Sequence, residues 1–182
     1  MEDNLANEYE NLVSLQEKIQ TPEPRKSGLK KVDLVRALNL LLANTNVLAL
    51  EVHGFHWNVK GPDFVEYHEL FNQIYGYLDE AIDPTAENIL KLGYDSPFHM
   101  SDFMKLSTIE ELDPEDMPEA MSRATLQGIN TLISNLKETF DIANAINEQG
   151  VANFLAEQID NGQKFAWQLR AILGLQKPNG LI

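Results

Sequence analysis

Between Val32 and Val59 the positions Leu34, Leu38, Leu41, Thr45, Leu48, Val52, Phe55 and Val59 recur at spacings of four and three, which is the stripe of one amphipathic helix. After Gly61-Pro62-Asp63 a second series runs Phe64, Tyr67, Phe71, Ile74, Leu78, Ile82, Ile89 and Leu92. It predicts a helix that stops at Gly93, a residue suited to a helix C-terminus. Residues 94–116 read as a crossover holding a short helix near Ser101–Leu106. Pro118 then opens a third long helix through about Gln149, and Gly150 separates it from a fourth, about Val151 to Leu173. No stretch alternates with period two for long enough to be a strand. The pattern predicts an all-α four-helix bundle over residues 32–174, built as two tight hairpins joined by a long crossover. Residues 1–31 form an N-terminal extension with a helix expected from Asn4 to Lys18, and residues 175–182 a short C-terminal tail.

Composition narrows the chemistry this bundle can perform. The 182 residues include no Cys, 14 basic and 28 acidic side chains, for a net charge of −14. That length suits a single core. Without Cys there is no disulfide, thiolate metal site or thiol nucleophile, so a metal would be held by His, Asp, Glu or amides. No apolar run approaches the roughly 18 residues of a membrane span. The N-terminal MEDNLANEYE is acidic where a signal peptide would be basic and then apolar. A soluble, cytoplasmic protein with no membrane partner is the expectation. The acidic balance repels polyanions and concentrates cations, which disfavours nucleic acid as a partner.

All four His lie between positions 53 and 99. His56 and His68 stand almost equally far from the Gly61-Pro62 turn, so an antiparallel hairpin brings them level. The second helix also carries His68 with Asn72 and Asp83 with Glu87, two i, i+4 pairs that each project from one face. At 100° per residue Asn72 and Asp83 differ by only about 20° around the axis, yet His68 and Asp83 are about 22 Å apart along it. No single ion reaches both. If these residues form one site, His56 and His68 come from one subunit, and Asp83 and Glu87 from the antiparallel second helix of another. The alternative is that Asp83 and Glu87 are solvated surface charges; Pro84 between them, expected to bend the helix, argues for a local role. A di-metal centre inside the bundle would need Glu-x-x-His pairs projecting into the core. No His here has a Glu three residues before it.

The stretch HWNVKGPDFVEYHELF, followed by YLDEAIDPTAENILKLG, resembles the signature of the Dps family, the mini-ferritins also known as DNA-binding proteins from starved cells. The resemblance extends over about residues 30–174 and includes the closing KFAWQLRAILG. It implies a ferritin-like bundle, a hollow dodecamer, and oxidation of Fe(II), preferably by hydrogen peroxide, with storage of ferric mineral as protection against oxidative stress. It implies further that His56 and His68 are iron ligands, that Asp83 and Glu87 are supplied across a two-fold interface, and that Glu87 bridges two irons in a di-iron centre. Trp57 matches a tryptophan found beside the site in many members.

Three departures qualify that picture. Asn72 stands where an Asp is usual, and a neutral amide is a weaker ligand for a hard cation. His53, one turn before His56, could compensate as an additional nitrogen, which would also favour zinc as a competitor. Near the junction of helices three and four Glu148 is retained, but Asn153 replaces a common Asp of the iron pore. The extension, residues 1–31, holds 6 acids and 5 bases, unlike the Lys/Arg-rich tails that neutralise DNA phosphates. DNA is therefore not expected as a partner. The rival readings are a DNA-condensing nucleoid protein and a shell with a weakly active, zinc-occupied centre.

Overall fold

The structure, a computed structural model, describes residues 28–113 and 117–175. The expected Asn4–Lys18 helix and most of the C-terminal tail lie outside the described residues. Among the described residues five helices follow one another: α1 (Lys31–Asn58), α2 (Phe64–Lys91), α3 (Met100–Leu106), α4 (Pro118–Ala145) and α5 (Gln149–Ile172). No strand occurs among the described residues. α1 packs against α2, α3 and α4, while α5 is held by α4 and touches α2. The result is the predicted pair of hairpins with α3 in the crossover.

α1 begins where the Asp33 carboxylate accepts the Lys30 backbone N–H at 2.9 Å, satisfying one of the donors a helix start leaves open. All eight residues of its stripe are buried. Gly128 of α4 lies against Leu48, where any Cβ would collide with the leucine side chain; the glycine sets how closely α1 and α4 approach. An 18-residue window of α1 reaches a mean hydropathy of 1.2, long and apolar enough by composition to cross a membrane, contrary to the sequence reading. That apolarity serves the core, since 61% of the window is buried inside the bundle.

The stripe of α2 holds for Phe71, Ile74, Leu78, Ile89 and Leu92, whereas Phe64 is exposed and Ile82 only partly covered. Two successive steps of four carry Ile82 about 80° around the axis from Ile74. The buried line continues instead through Ala81, Thr85 and Asn88. α2 runs unbroken through Pro84. It ends as predicted, with Gly93 at φ 88° and the Tyr94 N–H reaching back to the Ile89 carbonyl at 3.3 Å.

The expected break at Gly150 is displaced. α4 stops at Ala145, and Asn147, at φ 62°, makes the turn. Asn tolerates the left-handed region through its short polar side chain. Gly150 is the second residue of α5, with open space where its Cβ would be. Glu148 precedes that helix and pairs with Lys31 at 3.6 Å, while Asn153 is exposed.

A buried amide fastens the crossover. The Asn44 side-chain nitrogen donates to Asn135 Oδ1 at 2.6 Å and Thr108 Oγ1 at 3.1 Å. Its oxygen accepts from Ser107 Oγ at 2.9 Å and the Thr108 N–H at 2.7 Å. Farther along α1, the Glu51 carboxylate accepts the Leu112 N–H at 2.8 Å. Burial pushes its carboxyl group above the ordinary range.

Candidate metal centre

The α1–α2 hairpin brings His56 and His68 face to face, their rings stacked with centroids 3.7 Å apart and 22° between planes. Gly61 at φ 100° and Asp63 at φ 58° make the turn that sets this register. His56 Nδ1 lies 2.9 Å from the His68 carbonyl oxygen, and His68 Nδ1 lies 2.8 Å from the His56 carbonyl oxygen. A carbonyl can only accept, so both Nδ1 atoms carry the proton. In the neutral imidazoles the lone pair is then on Nε2, the form a metal ligand requires. Phe64 covers His68 on the hairpin side at 5.0 Å. Both histidines remain half-buried, so the site is built yet reachable.

Asn72, one turn beyond His68, is half-buried, and its side-chain oxygen accepts the Tyr75 hydroxyl at 2.8 Å. The Tyr75 ring stacks on His53 at 4.0 Å and 15°, and meets His56 edge-on at 5.2 Å. His53 sits between Tyr75 and Trp57, whose ring centroid is 4.3 Å away, and lies 6.0 Å from His56. Trp57 itself is 61% exposed. Tyr75 is the residue that sequence reasoning missed. The available signal was its place three residues after Asn72, on the same face as His68.

Asp83 and Glu87 are not brought to the histidines. Both are exposed at the other end of α2, and Glu87 pairs with Lys91 at 3.3 Å. Among the described residues no three His, Asp or Glu side chains gather into a metal-binding group. The bundle interior offers no substitute. Its central cavity, about 10 Å³, is lined by Thr45, Tyr77, Thr85 and Gln158 among leucines and alanine, without a carboxylate or imidazole. The threonines there are spent on backbone carbonyls of their own helices, and the Tyr77 hydroxyl donates to the Gln158 carbonyl at 3.0 Å. Burial pushes the pKa of the Tyr77 hydroxyl well above its ordinary range, so it stays a neutral donor.

This fold and hairpin have close counterparts. The sequence matches the ferritin-like domain family over residues 35–177. It is 31% identical over 140 residues to DNA protection during starvation protein 2 of Bacillus anthracis, covering 77% of this chain and 96% of that one. The chain belongs to the Dps family. Among solved structures, Dps from Staphylococcus aureus matches this Dps chain with a TM-score of 0.78 and 25% identity, over 82% of this chain and 100% of that one. The Dps protein of Vibrio cholerae, described as a member of a broad superfamily of ferritin-like diiron-carboxylate proteins, matches with a TM-score of 0.75 and 28% identity, over 85% and 99%. The histidine pair, Asn72, Asp83 and Glu87 of the present Dps all fall inside the matched residues.

Proposed function

We propose that this Dps protein is a cytoplasmic iron-storage ferroxidase that protects against oxidative stress, assembled as a hollow dodecamer with its metal sites between paired copies. One copy supplies His56 and His68, and the antiparallel α2 of the second supplies Asp83 and Glu87. The observation that carries the reading is the reciprocal pair of Nδ1–H to carbonyl hydrogen bonds. They hold two imidazoles side by side in the metal-binding tautomer before any metal arrives. The length of α2 supports half a site per chain, since it sets Asp83 about 22 Å along the axis from His68.

Fe(II) is the substrate, and two nitrogens with two carboxylates suit its intermediate hardness. Each of two Fe(II) ions gives up one electron to hydrogen peroxide, which takes two protons and leaves as two waters. Taking the electrons in pairs avoids the hydroxyl radical that a lone Fe(II) would release. His56 and His68 bind and orient; Asp83 and Glu87 balance the charge as Fe(II) becomes Fe(III). The acidic balance of −14 per chain concentrates Fe(II) around the shell. The same charge opposes DNA condensation.

Stopped-flow oxidation of Fe(II) by peroxide tests the site. A protein carrying His68→Ala and Asp83→Ala is expected to lose at least about tenfold in rate, since outer-shell changes alone commonly cost that much. Wild-type speed in that variant overturns the assignment. Asn72, neutral where an acid is usual in the family, favours a second reading in which zinc occupies the centre. Zinc retained after growth with both metals, with no iron oxidation above background, would establish it.

A further inference from the structure

We propose that the groove between the first turns of α2 and the last turns of α5 is the docking site of this chain's own C-terminal segment, residues 176–182. α5 is held by α4 and only touches α2, which leaves a groove of about 400 Å³ between them. Glu66, Glu69 and Leu70 line its α2 side, and Trp167, Ala171 and Ile172 its α5 side. Trp167 is 54% exposed and Ile172 47%. Large apolar side chains left together in a surface groove mark a place where something binds.

Position, reach and charge identify the occupant. Gly174, at φ 65°, closes α5 with its own N–H on the Ala171 carbonyl at 3.2 Å and the Leu175 N–H on the Arg170 carbonyl at 2.9 Å. This end motif turns the chain off the helix axis, three residues past Ile172. Residues 176–182 lie outside the described residues. Trp167 is eight positions before Leu175, about 12 Å back along the helix. Seven residues span up to about 23 Å, so the segment reaches the whole groove. Its sequence, QKPNGLI, holds one base and no acid in a chain of net charge −14. Lys177 matches Glu66 and Glu69, while Leu181 and Ile182 match Trp167 and Ile172. A tethered segment acts at an effective concentration of order millimolar, whereas a separate protein needs about 800 Å² of its surface buried. Docked there, the segment braces against α5 the turn of α2 that carries His68.

The chain has no Cys and two Trp, which makes both tests clean. Gln73, which also lines the groove, is replaced by Cys in the full chain, together with Leu181→Cys in one protein and Ile182→Cys in another. Mild oxidation is expected to consume both thiols in at least one of them while the chain keeps its monomer mass on a denaturing gel. Cross-linked dimers would show that a neighbouring copy fills the groove, and free thiols in both proteins that the segment stays away; either result overturns the proposal. The second test uses Trp57→Phe protein, in which Trp167 is the sole tryptophan. Deleting residues 176–182 should shift its emission to longer wavelength and increase its quenching by acrylamide. Lys177→Glu should do the same in part, and adding Glu66→Lys and Glu69→Lys to that variant should reverse the shift. Emission and quenching unchanged by the deletion would overturn the proposal, since a groove that is open, or covered by a second copy, does not respond to loss of the segment.

Discussion

Two polar clusters lie along α1, one around Asn44 and one around His56, and they spend their hydrogen bonds differently. Asn44 is completely buried, and both its nitrogen and its oxygen are used twice over, on Ser107, Thr108 and Asn135. Each histidine uses one ring nitrogen on the opposite backbone and keeps the other in reserve. The first arrangement has nothing left to offer a ligand and ties the crossover to the bundle. The second gives up part of its bonding capacity to fix geometry and holds the rest for chemistry. Satisfied polar groups specify structure; a half-used group held in place specifies a site.

Substitutions should separate the two roles. Asn44→Leu leaves the Thr108 N–H and its neighbours without their partner, and is expected to cost about 2–4 kcal/mol, read by denaturant unfolding. Folded Asn44→Leu protein should still take up Co(II) normally. His68→Ala is expected to do the reverse: metal uptake is lost, while stability falls by about 1–2 kcal/mol for one part-exposed hydrogen bond and the ring contacts with His56 and Phe64. If His68→Ala proved as destabilising as Asn44→Leu, the distinction between the clusters would fail. Glu51 supplies the mildest test. Its carboxyl ionises less readily folded than unfolded, so its contribution to stability declines as pH rises through the carboxylate range. Glu51→Gln, which keeps an oxygen for the Leu112 N–H, should raise Tm slightly at neutral pH. The gain should vanish below the carboxylate range; a gain that persists there would contradict burial of the charge as its cause.

The same comparison explains what could be read from the chain and what could not. The stripe of α1 was legible because one helix face records burial directly in sequence spacing, and His56 and His68 were legible because a short turn fixes their register. The Asn44 cluster joins residues 63 to 91 positions apart, so no local pattern announces it. Tyr75 fell outside the predicted stripe, and its hydroxyl bond to Asn72 depends on χ angles that spacing does not encode. The displaced break before α5 has a different origin. Gly is the habitual residue for a left-handed turn, and Asn147, three positions earlier, takes that conformation instead.

The paired Nδ1–H bonds between His56 and His68 also make the hairpin its own gauge. Two ring protons locked onto carbonyls leave slowly for solvent, so their nuclear magnetic resonance signals should stand clear of those from freely exchanging imidazoles. A metal arriving at Nε2 would move those signals without erasing them. Occupancy of the centre could then be followed resonance by resonance, without added dye or engineered label, in a chain that carries only four histidines.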